Sequence, residues 1–187
     1  MFNAENIVGV FLGLSLASAV GFRIFIPLLI MSLASMSGFL SLSSGFEWIG
    51  TFPALVILGA AAVFELAAYF IPYVDNILDT IAGPVAVIAG TIVMASSIVE
   101  MEPLYKWIIA IIAGGGAAGL VQSLTTITRG ASTITTGGIG NHLVATGETS
   151  ASVGISVLAI IFPIGIGVLI LLFLFWVTKK VYIKFFK

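Results

Sequence analysis

Long stretches of this sequence contain no charged residue, and this scarcity of charge constrains the fold more than any other feature. The chain has 187 residues, of which seven are Lys or Arg and eight are Asp or Glu. A soluble domain carries roughly a quarter charged residues, so a chain with 8% charged and 60% hydrophobic residues cannot present a polar surface on all sides. The sequence therefore predicts an integral membrane protein.

Apolar stretches are separated by short segments rich in Ser, Gly and acidic residues. A bilayer core of about 30 Å is crossed by roughly 20 helical residues, and no run alternates like the strand of a membrane β-barrel. We predict an all-α fold, a polytopic helical transmembrane protein with about five spans in a single domain, 1–187. The apolar stretches cover about 6–37, 50–72, 77–99, 105–127 and 151–178.

Three regions predict broken or kinked helices. The first stretch is too long for one untilted span and is interrupted at Gly21–Arg23, so two half-helices joined by a bend would fit it. Pro72 lacks a backbone donor and predicts a second break. The polar, glycine-rich segment 128–149 is poor in helix formers. We expect it to be either an external loop or a segment that re-enters the membrane shielded from lipid.

Four of the seven basic residues lie in the last nine positions, directly after the final apolar stretch. Because basic residues favour the cytoplasmic side of a membrane, we expect the C-terminal tail to be cytoplasmic, and an odd number of spans then puts the N-terminus outside. The net charge of −1, with no basic patch elsewhere, excludes an electrostatic case for nucleic-acid binding. The four residues are Lys179, Lys180, Lys184 and Lys187.

Small residues recur at four-residue spacing in several apolar stretches. This spacing lets helix backbones approach closely in a membrane, so each ridge predicts helix packing. The alternative is that a ridge forms the interface of a homo-oligomer. The ridges considered for that interface are Gly9, Gly13, Ala17 and Gly21 in the first stretch, and Gly115 and Gly119 in the fourth.

Six ionisable residues fall at or near the helix breaks, where an intramembrane charge costs at least about 2.5 to 3.5 kcal/mol. If all six were ionised in one cluster, the charge would be 2 − 4 = −2, so the surplus acids would have to be wet, protonated or matched by a cation. The alternative is that they begin helices at the interface or lie in loops. The six are Arg23, Glu65, Asp75, Asp79, Arg129 and Glu148.

Signals for catalysis are thin. The chain has no cysteine and a single histidine, His142, which excludes a thiolate nucleophile and a metal site built on several histidines. We predict no catalytic residue and no cofactor, the sequence favours a protein that is not an enzyme, and whether the acids hold a metal stays open.

Three motifs together resemble a known family. The segment from Gly21 to Leu29 combines a glycine, an arginine and a Pro-Leu-Leu ending, and the later residues Arg129, Asn141 and Glu148 have a matching spacing. The most specific motif is the run Glu65, Pro72, Asp75, Asn76 and Asp79. These motifs resemble an uncharacterised bacterial membrane family, domain of unknown function 4126. The resemblance implies a bacterial inner-membrane protein and adds little about activity.

Broken helices that converge on charged residues are typical of small transporters and channels. We therefore predict a small transporter or channel whose carboxylate and arginine cluster binds a proton, a cation or a small charged solute in the lipid bilayer. The alternative is a non-transporting membrane subunit or scaffold of a larger complex, whose charges lock helices together and whose surface recruits a protein partner. The predicted ligand residues are Glu65, Asp75, Asn76, Asp79, Arg23, Arg129, Asn141 and Glu148.

Overall fold

Helices account for nearly all of the chain in the computed structural model, which describes the backbone of residues 3–68 and 72–186. Within these ranges it describes all side chains except those of 72–80 and 184–186. No strand occurs in the described ranges, as predicted. The helices are α1 Ala4–Val20, α2 Phe25–Met36, α3 Phe52–Ala68, α4 Pro72–Ser97, α5 Pro103–Ile109, α6 Gly116–Thr136, α7 Asn141–Ile161 and α8 Pro163–Phe186.

A π-helical turn, Ala110–Gly115, joins α5 to α6. The three segments form one continuous helix of 34 residues, Pro103–Thr136. Pro103 lies at the first position of this helix, where its missing N–H group would have no intrahelical partner. Gly137 ends the helix with a left-handed backbone conformation, φ +63°, which glycine adopts without strain.

The first stretch forms two half-helices, as predicted. The structure shows that they run antiparallel. Val20 ends α1, and the chain reverses before α2 begins at Phe25. After α2, Ser43 donates its N–H to the carbonyl of Ser96, next to the backbone that Gly9 contacts. These contacts place the start of α1 and the chain after α2 at the same end of the bundle, so we call α1 and α2 a hairpin. Helix α1 is about 25 Å long at 1.5 Å per residue.

Contacts along α1 fix the direction of the other helices. Gly9 and Gly13 pack on the C-terminal part of α4, so α4 runs antiparallel to α1. Gly167 packs on Phe11, and Ile170 joins the cluster of Leu14, so α8 runs parallel to α1. We call the end where α1 begins the near end of the bundle. The opposite end, which holds the α6–α7 turn, is the far end.

Segment 128–149 contains a helix break, as predicted, but it is not an extended loop, because most of the segment is helical; whether it re-enters the membrane stays a prediction. It forms the end of α6, a glycine turn at 137–140 and the start of α7. Its threonine and serine hydroxyls donate to carbonyls one turn earlier, as in Thr133 to Arg129 and Thr146 to His142. Tertiary contacts here override weak helix propensity.

A break also divides the last predicted stretch, 151–178. Helix α7 ends at Ile161 and α8 begins at Pro163, because proline has no N–H to continue the ladder and its ring clashes with the preceding turn. Near Pro72 the predicted break coincides with the start of α4, whereas residues 69–71 lie outside the described ranges.

Three described helices are long and apolar enough to cross a membrane: Pro103–Thr136, Asn141–Ile161 and Pro163–Ile183. Shorter apolar helices accompany them, Ala4–Val20, Phe25–Met36, Phe52–Ala68 and Ile81–Ser97. These lengths indicate a membrane protein, and the count of five spans stays a prediction.

The predicted glycine ridges pack within the chain. A Cβ atom on Gly9 would lie 2.5 Å from the Ser97 carbonyl oxygen, and one on Gly21 would lie 2.6 Å from the Ala118 carbonyl oxygen. Gly115 similarly faces Thr91, and Gly119 faces Val87. A homo-oligomer therefore stays a prediction, and it would need surface other than these packed ridge positions.

Candidate functional site

Two arginines and one glutamate converge beneath the far end of the bundle. Arg23 lies between α1 and α2, Arg129 on α6 and Glu148 on α7. The Arg129 Nε atom lies 3.1 Å from both carboxylate oxygens of Glu148, and its Nη2 atom makes a closer contact with Oε2. Arg23 Nη2 lies 3.3 Å from the same Oε2 atom. We call these three residues the charge triad.

The triad is almost completely shielded from solvent, with exposed fractions of 1% for Arg23, 5% for Arg129 and 6% for Glu148. Such burial requires hydrogen bonds beyond the ion pairs. Arg23 provides two: its Nε donates to Thr149 Oγ1 at 3.1 Å and its Nη2 donates to the Ala145 carbonyl at 2.9 Å. These bonds tie the tip of the hairpin to α7.

Glu65 binds the backbone on the other side of the hairpin tip. Its carboxylate accepts the N–H of Ile24 at 2.7 Å and that of Phe25 at 3.0 Å. These groups lie at the N-terminus of α2, which has no side-chain cap of its own, and a carboxylate there is favoured by the partial positive charge of the helix end. Glu65 on α3 therefore completes a helix that starts deep within the protein.

Asn141 begins α7 and does not join the charge triad. Its Nδ2 donates to Thr133 Oγ1 at 2.9 Å, and the Thr133 hydroxyl donates to the Arg129 carbonyl at 2.9 Å. Asn141 thus braces the α6–α7 turn next to the triad. The remaining predicted ligands, Asp75, Asn76 and Asp79, lie on the backbone of α4, but their side chains fall outside the described residues.

A pocket of about 250 Å³ adjoins Arg23 near the far end. Its lining is mostly apolar, and its α7 hydroxyls already donate within the helix: Thr149 to Ala145 and Ser150 to Thr146. Arg23 and His142 contribute the side-chain nitrogen atoms of the lining. The pocket is lined by Arg23, Leu66, His142, Ala145, Thr146, Thr149 and Ser150.

The sequence did not single out the α7 residues of this pocket. The single histidine, His142, lies in the first turn of α7 and lines the pocket, and Thr149 was likewise not predicted as a site residue. The available signal was the spacing of Thr149 and Ser152 around Glu148, which gives one polar helix face.

Glu65 is separate from the triad, because its carboxylate is bound by backbone N–H groups. The described residues include no group of three or more His, Cys, Asp or Glu side chains that could hold a metal. Two of the four predicted acids, Asp75 and Asp79, have side chains outside the described residues, so the predicted net charge of the six-residue cluster stays a prediction.

A family model described as a domain of unknown function (DUF4126) matches residues 10–181. The chain belongs to that family. The match covers every member of the charge triad of this DUF4126 chain, as well as Glu65 and Asn141, and it confirms the resemblance seen in the sequence. No curated protein and no solved structure matches the chain.

Proposed function

We propose that this DUF4126 protein is a small membrane transporter or channel, with the charge triad in a site that binds a proton, a cation or a small charged solute. The observation that supports the proposal is the convergence of two guanidinium groups and one carboxylate at a site more than nine-tenths buried. Charged side chains at such a depth are costly, and in membrane proteins they mark the paths of ions and substrates.

Glu65 holds the helix break next to the triad. Its carboxylate accepts two N–H groups at the N-terminus of α2, where the unpaired N–H groups carry partial positive charge. A helix end of this kind, close to buried charges, is typical of ion and solute sites in transporters.

The pocket beside Arg23 supports access from the far end. Its volume of about 250 Å³ accommodates a small solute next to Arg23. A reversed backbone at depth, shielded by neighbouring helices, is the arrangement that transporters use for ion sites. Participation of Asp75 and Asp79 in this site stays a prediction.

Ion flux into liposomes tests the proposal. The purified protein is reconstituted, and uptake of protons, potassium, chloride and phosphate is measured with internal reporters. We expect Arg23→Gln to lower the flux of the preferred ion at least about tenfold, equivalent to about 1.4 kcal/mol. Arg23→Lys should fall between, because lysine keeps the charge but lacks the planar fork of donors.

Glu102→Gln is the matched control, because Glu102 is exposed at the near end and makes no capping hydrogen bond. It removes one carboxylate without touching the triad and should leave flux unchanged. Absence of flux from the parent protein for all four ions would contradict the proposal. If such an inactive protein also purifies in a stoichiometric complex, the scaffold alternative is favoured.

A further inference from the structure

A second pocket lies between the start of α2, the second half of α3 and the described part of α4. Its volume of about 400 Å³ falls within the range of about 300–1,000 Å³ that is typical of small-molecule sites. The described lining residues of this pocket and of the pocket beside Arg23 do not overlap, and none of them here belongs to the charge triad. It is therefore a separate candidate site.

This second pocket opens on the outer surface of the bundle, and we call it the lateral pocket. Three of its lining side chains are also exposed: Phe64 on α3, at 76%, and Ile81 and Val85 on α4. Exposed apolar side chains on a membrane protein mark the surface that borders lipid. An occupant would therefore reach the lateral pocket from the hydrocarbon of the bilayer, which favours a molecule with an apolar body.

Glu65 provides the one charged side chain among the described lining residues, and all the others are apolar. Its carboxylate accepts the N–H of Ile24 at 2.7 Å and that of Phe25 at 3.0 Å. A carboxylate offers about four acceptor positions, so it can still accept a donor from the pocket. A purely apolar occupant would cover this carboxylate without providing a donor, which is costly. The lining therefore favours an occupant with a hydrogen-bond-donating group at one end.

The charge of Glu65 favours an ammonium group over a hydroxyl as this donor. A primary ammonium carries three N–H donors and a charge opposite to that of the carboxylate, and this attraction is stronger in an apolar surrounding than in water. A hydroxyl donates one hydrogen and brings no charge. A hydrocarbon chain on the ammonium group would lie against Phe64 and Ile81, in the space that the small side chains of Ala61 and Ala68 leave open.

We propose that the lateral pocket binds a single-chain lipophilic amine, with its ammonium group at the Glu65 carboxylate and its hydrocarbon chain along the apolar walls. The inference goes beyond the proposed function, because it requires neither the charge triad nor transport. It gives Glu65 a second role beside capping α2, since the same carboxylate holds the helix end and binds the amine.

Photoaffinity labelling of the full chain in phosphatidylcholine nanodiscs tests the proposal. The probe is decylamine with a diazirine on its chain, and peptide mass spectrometry identifies the labelled residues. We expect labels on the pocket walls of α3 and α4. Unlabelled decylamine should displace the probe at a concentration at least about tenfold lower than decanol or decanoate, which have the same chain but no ammonium group. Empty nanodiscs correct for the partition of each competitor into lipid.

Two phenylalanine variants test whether the probe occupies the pocket. Ala61→Phe fills the space between the walls and should lower labelling at least about tenfold. Ala60→Phe is the matched control, because Ala60 is the neighbouring residue, is exposed and is not among the described lining residues; it should keep the labelling of the parent. Neither variant touches the carboxylate that caps α2.

Glu65→Gln tests the ammonium contact, because it keeps the size of the side chain and removes its charge. We expect this variant to lose the preference for decylamine over decanol. Labels spread evenly over the outer faces of all helices, displacement by decanol as efficient as by decylamine in the parent protein, or equal labelling of Ala61→Phe and Ala60→Phe would each overturn the inference.

Discussion

Glu148 is the residue on which both buried arginines depend. It provides the carboxylate that contacts Arg23 and Arg129, and all three side chains are at most 6% exposed. Removing one partner of a buried ion pair leaves an uncompensated charge, which costs about 3–5 kcal/mol. The stability of the far half of the bundle should therefore be sensitive to this position.

We predict that Glu148→Gln lowers the free energy of unfolding by about 3–5 kcal/mol. The double variant Glu148→Gln/Arg129→Gln should recover part of this loss, because it also removes one of the stranded guanidinium groups. Denaturant unfolding in detergent, followed by circular dichroism, measures both. The control Glu102→Gln should stay within about 0.5 kcal/mol of the parent, and an equally small effect at Glu148 would contradict the geometry of the triad.

At the scale of the helices, the closest contact between α4 and the long central helix occurs at the π-helical turn. Gly90 on α4 faces this turn, and a Cβ atom there would lie 2.5 Å from Ala118 Cβ and 2.8 Å from the Gly114 carbonyl oxygen. Gly83 lies on the same helix, and a Cβ atom there would meet nothing within 4 Å. The two glycines form a matched pair.

We predict opposite effects of alanine at these two positions. Gly90→Ala should destabilise the protein by about 1–3 kcal/mol, because the packed backbones must separate. Gly83→Ala should be neutral or stabilising by up to about 1 kcal/mol, because alanine favours a helix over glycine. Thermal unfolding in detergent compares them, and equal shifts for both variants would count against the close approach of α4 and α6.

The helices also show where predictions from the sequence succeeded and where they failed. The two half-helices around Gly21–Arg23 were predicted correctly, because a glycine and a charge inside an apolar stretch are local signals. The break at Phe162–Pro163 was missed although the proline was visible. The sequence pattern also gave no sign that Lys106, in α5, is buried and donates to Ser43 Oγ at 2.7 Å.

For the molecule as a whole, the helix directions place the start of α1 and the end of α8 at opposite ends of the bundle. Helix α8 runs parallel to α1, and α7 runs antiparallel to both. The α6–α7 turn at Ile139 therefore lies at the far end, whereas Ser41, after α2, lies at the near end. The lysine-rich end of α8 and the turn then share one side of the membrane.

Single-cysteine labelling tests this topology, and the natural absence of cysteine makes each introduced thiol unique. Both positions are exposed. We predict that Ile139→Cys reacts with an impermeant maleimide only from the cytoplasmic side, and Ser41→Cys only from the opposite side. Labelling of both from one side would contradict the topology. Reversal of the two sides would keep the topology and reject the cytoplasmic C-terminus.

The sequence by itself determined the membrane class, the helical architecture and most of the positions at which helices break. These properties depend on local composition, hydropathy and single glycine or proline residues, whose effects on the backbone are confined to their own positions in the chain. It also singled out Arg23, Glu65, Arg129 and Glu148 as residues that needed partners. Only the tertiary structure decided which partners they have. Glu65 binds a helix end and Glu148 binds two arginines because the α1–α2 hairpin reverses at depth and brings opposite halves of the chain together.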